Sequence, residues 1–106
     1  MRLTKLGDLE TREIVPGFRA KFVHSDQLTI AFWEIRAGAS LPEHSHHHEQ
    51  TVNVMDGRFT LIVDGNVHEL EPGTAVVIPP NVPHSGKALT DCRIIDVFFP
   101  IREDYR

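Results

Sequence analysis

The sequence predicts an all-β sandwich or barrel. No segment of useful length repeats its apolar residues with the period of a helix. Short apolar segments follow one another at near-regular spacing instead, and glycine, proline and asparagine separate them, as is typical of strands joined by turns. We interpret residues 1–106 as one domain, because a chain of this length has room for no more.

The first part of the chain contains one undecided segment and two predicted strands. Residues 1–15 are mixed in character, and they could form either an edge strand or an arm that lies on a partner subunit. Residues 18–23 alternate between apolar and polar side chains, which is typical of a half-buried strand. Residues 27–36 are rich in β-branched and aromatic side chains and form the second predicted strand, which ends at Ala37-Gly38-Ala39.

Turn residues divide the rest of the chain into five further strands. These strands span residues 51–55, 58–63, 67–70, 74–78 and 93–99. An Asp-Gly pair follows each of the first two, and such pairs are strong turn signals. The fourth strand looks buried and stops at Pro79-Pro80-Asn81, and Pro100 ends the last one. This succession of short strands supports the all-β prediction.

Composition and charge exclude several classes of function. The net charge of −4 comes from 11 basic and 15 acidic residues without a long run of either, which argues against a nucleic-acid surface and a polybasic membrane anchor. No segment approaches membrane-spanning length or has a signal-peptide core. The single cysteine, Cys92, cannot form an intrachain disulfide, so we expect a cytoplasmic setting. Because a chain of this size buries only about two thirds of its unfolded surface, a homodimer is expected.

A histidine-rich stretch, PEHSHHHEQTVNVMDG from Pro42 to Gly57, holds four of the seven histidines. His44 and His46 are two residues apart, so on an extended strand both side chains leave the same face. Neutral imidazoles suit zinc, copper, iron and nickel. His47-His48 is expected to turn the chain without binding. From these residues alone, a metal site and a solvated polar loop both stay open.

Two more residues are candidates to complete a metal site. Gln50 shares the parity of the two histidines and can offer its amide oxygen, whereas Glu49 has the opposite parity. A turn at His47-His48 could reverse this, so the choice between Glu49 and Gln50 stays open. His84 follows Pro79-Pro80 and Pro83, and such a stiff segment holds the direction of a ligand at low entropic cost.

These residues resemble the first motif of the cupin family, whose fold is a small jelly-roll β-barrel. That motif has a glycine, five residues, H-x-H, three or four residues, a glutamate, six residues and a glycine. Gly38, His44, His46 and Gly57 fall on it, and Gln50 occupies the glutamate position. The resemblance covers about residues 27–100, and the motifs are specific for the fold but weak for chemistry.

The second cupin motif has a glycine, five residues and P-x-G-x-x-H. Gly73, Pro79 and His84 match it, and Asn81 replaces the internal glycine. This replacement is tolerable because asparagine adopts a positive φ most readily after glycine.

The resemblance implies a single-domain cupin β-barrel with one divalent metal ion in its mouth. The implied ion is zinc, nickel, manganese or iron, and the implied ligands are His44, His46, Gln50 and His84. A neutral glutamine in place of glutamate leaves the full divalent charge on the site, which would make the ion a stronger Lewis acid towards a bound oxygen.

The last predicted strand carries an acid on an apolar face. Asp96 shares this face with Ile94 and Phe98, and a buried carboxylate is costly unless it is paired or functional. Arg102 lies just past Pro100 and could reach back over the mouth of the barrel. The alternative is that Asp96 satisfies a backbone group and that Arg102 pairs with an acidic neighbour on the surface.

Within the cupins, HHHEQ together with the terminal DVFFPIREDY resembles the KdgF family of pectin-degradation proteins. This resemblance implies conversion of a cyclic 4,5-unsaturated uronate to its linear 4-deoxy-5-keto form. It also implies that Asp96 moves a proton, that Arg102 binds the carboxylate and that Phe98 supplies an apolar wall. The expected partner is therefore a small sugar acid, and neither nucleic acid nor a membrane is expected.

Two other classes of function stay open at this point. A metal-dependent cupin of another enzyme class, such as a dioxygenase, needs open coordination positions and a redox metal. A non-enzymatic cupin would bind a sugar or a small acid without turnover.

Overall fold

The computed structural model describes residues 1–106. The chain folds into ten antiparallel strands. They are β1 (Arg12–Val15), β2 (Phe18–His24), β3 (Thr29–Ile35), β4 (Ser40–His44), β5 (Glu49–Asp56), β6 (Phe59–Val63), β7 (Asn66–Leu70), β8 (Ala75–Ile78), β9 (His84–Ala88) and β10 (Cys92–Phe99). Short 3₁₀ turns at Leu6–Asp8 and Glu103–Tyr105 flank them. Neither turn has the length or the apolar character that crossing a membrane would require.

The order of the strands is that of a jelly roll. One sheet has the order β1-β2-β3-β10-β5-β8, and the other has the order β4-β9-β6-β7. The chain changes sheet between β3 and β4 and again between β4 and β5, and the last long strand, β10, fits between β3 and β5. Such crossings between two antiparallel sheets characterise jelly rolls. The predicted all-β jelly-roll class is therefore confirmed.

An aromatic cluster joins the inner faces of the two sheets. Phe18 on β2 lies edge-on to Trp33 on β3, with ring centroids 6.0 Å apart. It also lies edge-on to Phe59 on β6, at 6.2 Å. All three side chains are buried, and edge-to-face pairs add about 0.5–1.5 kcal/mol each to the stability gained by burial. This cluster fills the middle of the barrel and leaves one end for polar side chains.

The seven predicted strands are all present, and their ends differ from the prediction by at most two residues. The strands β4 and β9 were not predicted from the sequence. Their sequences, SLPEH and HSGKA, contain proline or glycine and several polar residues, so they lack the apolar alternation that marks the other strands. Within the undecided N-terminal segment, β1 forms an edge strand that pairs with β2.

Gly57 and Gly73, two of the three cupin-motif glycines with positive φ, differ in their surroundings. Gly57 has φ 87°, and a Cβ added there would collide with the carbonyl oxygen of Asp91 and lie 2.9 Å from Cys92 Sγ. Gly73 has φ 88°, but nothing lies within 4 Å of its added Cβ. Asn81, which replaces a motif glycine, also has a positive φ of 66°, as expected.

We expect Gly57→Ala to lower the free energy of unfolding by about 3 kcal/mol, because a positive φ costs a side chain about 1–2 kcal/mol and overpacking adds about 1–3 kcal/mol. Gly73→Ala is the matched control and should show only the loss due to φ. Urea unfolding of the two variants and the wild type measures both values. Equal losses in the two variants would contradict the close approach at Gly57.

Candidate metal centre and adjoining cavity

Three histidines meet at the end of the barrel that the aromatic cluster leaves free. His44 is the last residue of β4, His84 is the first residue of β9, and the antiparallel pairing sets them directly opposite each other. His46 lies in the loop that follows β4. One candidate ligand atom from each of the three lies within 4.8 Å of the others, so they could hold a metal ion. The predicted histidines do come together, although the loop rather than a shared strand face brings His46 to this position.

The backbone fixes the tautomers of two of these histidines. His44 Nδ1 lies 2.9 Å from the carbonyl oxygen of Pro42. His84 Nδ1 lies 2.9 Å from the carbonyl oxygen of Val82. Because a carbonyl oxygen only accepts, each Nδ1 carries the hydrogen and each Nε2 presents a lone pair. His84 Nε2 is buried without a hydrogen-bond partner. A bound metal ion would accept the lone pair of this nitrogen and so give it a partner.

Gln50 lies beside the histidines on the inner face of β5 and is 7% exposed. Its Oε1 is 3.1 Å from His46 Nε2. Its Nε2 donates a hydrogen bond of 2.9 Å to Asp96 Oδ2, and this bond directs the amide oxygen towards the histidines. Glu49 is exposed on the other face of the strand. Of the two candidates that the sequence left open, the structure therefore brings only Gln50 to the histidines.

Burial sets the protonation of the histidine cluster. It lowers the pKa of His46 to about 4, with smaller contributions from the charge of Arg102 and from the neighbouring histidines. Burial also lowers the pKa of His84. Both imidazoles are therefore neutral at pH 7, which is the form that binds metal ions.

Asp96 lies on the inner face of β10, as the alternation of that strand predicts. Burial raises the pKa of Asp96 to about 7, against the opposing effect of the hydrogen bond from Gln50. Its second oxygen, Oδ1, is buried and has no partner within the usual hydrogen-bond limits, although the Trp33 side chain also opposes the rise in pKa. The alternative expectation was that Asp96 bonds to a backbone group. The hydrogen-bond partner of Asp96 is instead the side chain of Gln50. A carboxyl group with a pKa near neutrality can both take up and release a proton.

Arg102 is buried beside Asp96, although it also makes the ion pair that the alternative expectation describes. Its Nε donates a hydrogen bond of 2.9 Å to Asp104 Oδ1, and its Nη2 donates one of 2.7 Å to Asp104 Oδ2. The guanidinium lies over the rings of Phe98 and Tyr105, at 4.7 and 4.1 Å from their centroids. Only 9% of the Arg102 side chain is exposed but 58% of the Asp104 side chain is, so the expected pair lies at the surface on its Asp104 side and is buried on its Arg102 side.

These side chains line one cavity of about 60 Å³ between the histidines and the aromatic cluster. Its polar lining consists of His44, Gln50, His84, Asp96, Arg102 and Tyr105. Phe98 lies among the apolar residues that form most of the remaining wall. A second, open hollow of about 500 Å³ lies on the surface, and Arg102 and His46 both line it. Arg102 therefore borders both the inner cavity and the solvent-facing hollow.

His48 was expected to turn the chain without a further role, and the structure shows more. The chain bends at His47-His48, and His47 is exposed. His48 is buried, however, and its Nε2 lies 3.2 Å from the carbonyl oxygen of Ile101. The sequence could have predicted that the His48 side chain points inward, because His48 has the same even-numbered spacing along the chain as His44, His46 and Gln50.

Comparison with known proteins gives the family. The sequence profile described as "Cupin domain" matches residues 31–98, and the chain belongs to the cupin family. The structure of KdgF from Halomonas sp. is similar, with 30% identity, a TM-score of 0.88 and 94% of each chain covered. An RmlC-like cupin from Shewanella frigidimarina has 28% identity and a TM-score of 0.93, over 100% of this chain and 96% of that chain. The resemblance seen in the sequence is thereby confirmed.

One curated relative is a longer protein. The H2HPP isomerase of Bacillus subtilis is 27% identical over 100 residues, which cover 92% of this chain and 42% of the isomerase. The chain therefore spans about two fifths of the length of this relative.

We expect His84→Ala to weaken zinc binding by more than about 100-fold, since even residues behind the ligands contribute about 10–100-fold to metal affinity. His68→Ala is the control, because His68 is exposed on β7 in the part of the sheet away from the cluster. Competition with a chelating dye gives the affinity and the number of ions per chain. Wild-type affinity in His84→Ala, or an equal loss in His68→Ala, would contradict a metal site at the three histidines.

Proposed function

We propose that this cupin is a metal-dependent enzyme that converts a 4,5-unsaturated uronate to its linear 4-deoxy-5-keto form. The observation that carries the proposal is one cavity in which His44, His84 and Gln50 meet Asp96 and Arg102, with His46 bonded to the Gln50 amide beside it. A sugar acid offers oxygens to a metal ion, a proton to an acid–base group and a carboxylate to an arginine. The similarity to KdgF supports the same activity.

In this proposal His44, His46, His84 and Gln50 hold one divalent ion. Three imidazoles and an amide oxygen suit zinc, nickel, manganese or iron. The ion would supply Lewis-acid polarisation of the sugar oxygens. The protein provides the ligands in a neutral state, since burial keeps His46 and His84 unprotonated at pH 7.

Asp96 is the proposed acid–base group. Opening of the ring removes a proton from the anomeric hydroxyl, breaks the bond between the anomeric carbon and the ring oxygen, and leaves an aldehyde and an enolate. The enolate becomes the 5-keto group when carbon 4 takes up a proton. Gln50 donates to Oδ2 of Asp96, while Oδ1 has no partner within the usual hydrogen-bond limits and Trp33 interacts with the same carboxyl. Oδ1 is therefore the oxygen proposed to take up the first proton and return it at carbon 4.

Arg102 is the proposed carboxylate-binding residue. Asp104 occupies its Nε and Nη2, which leaves Nη1 as the guanidinium nitrogen that Asp104 does not engage. The guanidinium carbon lies 4.7 Å from the centroid of the Phe98 ring, which is within the range of a cation–π contact. The inner cavity of about 60 Å³ is smaller than sites that surround a whole ligand, which measure about 300–1,000 Å³. A uronate would therefore place only its reacting atoms beside Asp96, while Arg102 holds its carboxylate at the border with the outer hollow.

The purified protein loaded with zinc, nickel, manganese or iron tests this proposal with unsaturated galacturonate as substrate. The ultraviolet absorbance of the conjugated double bond should disappear faster than it does spontaneously. Asp96→Asn and Arg102→Ala should abolish the gain, because each removes a proposed chemical group. Arg93→Ala is the matched control, since Arg93 is exposed on the same strand as Asp96 and should leave the rate unchanged.

The other outcomes of this assay separate the competing classes. A wild-type rate equal to the spontaneous rate with every metal sinks the enzyme proposal for this substrate. Oxygen consumption by the iron-loaded protein would favour the dioxygenase class. Stabilisation by the sugar acid without turnover, unaffected by Asp96→Asn, would favour a binding protein.

We further propose that the chain forms a homodimer through the outer face of the six-stranded sheet. The central strands β3 and β10 are apolar on both faces, which indicates that something covers the outer one. Cross-strand pairing on this face places Phe32 opposite Ile95 and Ile30 opposite Val97. Six strands of this length give a flat face of roughly 600 Å², without the extra area that protruding side chains add. This is close to the roughly 800 Å² per partner of a standard interface.

A second copy fits this face because its charges are self-complementary. Glu34 and Arg93 pair across β3 and β10 at one end of the apolar area, and Arg19 lies opposite Glu34 on β2. In a dimer with a two-fold axis through the sheet, the same surface of both subunits forms the interface. The acidic and basic side chains at this end of the apolar area would then face the same set of charges on the second copy.

We expect Phe32→Glu to convert a dimer into a folded monomer, because it would bury an unpaired charge in the interface. Sedimentation velocity at micromolar concentration measures the change, and circular dichroism checks the fold. Val67→Glu is the control, since Val67 is 63% exposed on the other sheet. A monomeric wild type would contradict the dimer.

The single thiol supports the expected cytoplasmic location. Cys92 is buried and unpaired, and burial raises the pKa of its thiol. A protonated, enclosed thiol behaves as a small apolar residue and needs no oxidising environment.

A further inference from the structure

His48 lies between the histidine cluster and the C-terminal segment. One of its ring nitrogens, Nδ1, is a buried hydrogen-bond acceptor to which no group donates. It is 6% exposed, and its ring centroid is 5.3 Å from that of His46, in an edge-on arrangement. Its Nε2 lies 3.2 Å from the carbonyl oxygen of Ile101. Because that oxygen only accepts, Nε2 carries the hydrogen and Nδ1 presents a lone pair. This Nδ1 is buried and makes no hydrogen bond.

His46 has the complementary requirement. Its Nε2 is directed at Gln50 Oε1, 3.1 Å away, while its Nδ1 is buried without a partner. If His46 binds a metal ion through Nε2, that nitrogen must offer its lone pair, and the hydrogen of the neutral ring then lies on Nδ1. A metal-bound histidine almost always donates this hydrogen to another group.

Backbone carbonyls meet this requirement for the other two histidines but not for His46. His44 and His84 use the carbonyl oxygens of Pro42 and Val82. The Nδ1 of His46 has no such carbonyl within hydrogen-bonding distance. The ring beside it, His48, has an unused acceptor, and a small rotation or one bridging water joins two nitrogens on rings this close.

We propose that His48 is a positioning residue of the metal centre, whose Nδ1 accepts the hydrogen from His46 Nδ1 while its Nε2 donates to Ile101. This inference rests on the metal centre of the proposed function. It gives His48 two separable tasks: the acceptor orients the His46 ring towards the ion, and the donor holds Ile101. Because Ile101 immediately precedes Arg102, one side chain then connects the metal ligands to the residue that binds the carboxylate.

Two substitutions separate the two tasks, with zinc alone as the probe. His48→Gln keeps an amide N–H near the position of Nε2 and removes the acceptor near His46, so zinc affinity should fall by about 10–100-fold. His48→Asn places an amide oxygen near the position of Nδ1 and removes the donor to Ile101. It should retain more zinc affinity than His48→Gln, and hydrogen exchange of residues 100–106 should be faster.

His47→Gln is the matched control, since His47 is the exposed neighbour in the same loop. It should bind zinc as the wild type does. Wild-type affinity in His48→Gln would overturn the inference and leave the metal centre standing. An equal loss in His47→Gln would also overturn it, because the effect would then belong to the loop in general. A wild type that binds no zinc would overturn the metal centre and this inference together.

Nitrogen-15 spectra of the wild-type imidazoles test the same inference without a substitution. With zinc bound, His46 should carry its hydrogen on Nδ1, and His48 should keep its hydrogen on Nε2, with an Nδ1 resonance shifted in the direction of hydrogen-bond acceptance. A His48 resonance that does not respond to zinc would overturn the proposed contact.

Discussion

The hydrogen bond from Gln50 to Asp96 is the interaction on which the candidate site depends. The two residues are diagonal neighbours on the inner faces of β5 and β10, because Gln50 is paired with Phe98 and Asp96 with Val52. A buried carboxyl group needs a donor, and the amide of Gln50 supplies one while its oxygen faces His46. An ionised glutamate could only accept, and it would place a second negative charge beside Asp96. The proximity of Asp96 therefore gives a physical reason for glutamine at the position where the first cupin motif has glutamate.

The C-terminal segment depends on contacts that are distant in sequence. The backbone N–H of Arg102 donates to Thr29 Oγ1 at 2.9 Å, and the same hydroxyl group is 2.8 Å from His24 Nδ1. Arg12 donates to the carbonyl oxygen of Tyr105 at 2.7 Å, and the Tyr105 ring stacks on Phe22. These bonds hold the segment against the open end of the barrel. Arg102 is consequently buried and oriented in the unliganded protein, which would lower the entropic cost of binding the carboxylate of the proposed substrate.

Much of the fold was predictable because the alternation of apolar and polar side chains along a strand indicates directly which side chains are buried. Phe18, Ala20 and Phe22 point inward and Arg19 and Lys21 point outward or lie half-buried, as their order in the sequence predicts. The polar strands β4 and β9 carry no such signal, although they position His44 and His84. Motif spacing identified these histidines without identifying the strands.

The sequence predicted the candidate site less completely than the fold. The spacing of the motifs selected His44, His46, Gln50 and His84, but the environment of Arg102 depends on Thr29, which lies 73 positions away. No local pattern encodes a contact across that separation. The burial of His48 was missed because strand parity was applied to its neighbours and stopped at the predicted turn.

The lining of the cavity narrows the chemistry that the site can perform. Its ionisable groups are His44 and His84, which are candidate ligands, together with Asp96, Arg102 and Tyr105. Burial raises the pKa of Tyr105, so its hydroxyl group stays protonated at neutral pH, and Arg102 stays charged. With His44 and His84 holding the ion of the proposed function, Asp96, whose pKa burial raises to about 7, is the remaining group in the cavity placed to gain and lose a proton. The proposed ring opening followed by conversion of the enolate to the ketone removes one proton and returns one, so the base of the first step is regenerated by the second. A reaction that needs no net proton transfer to solvent suits a cavity with a single enclosed carboxyl group.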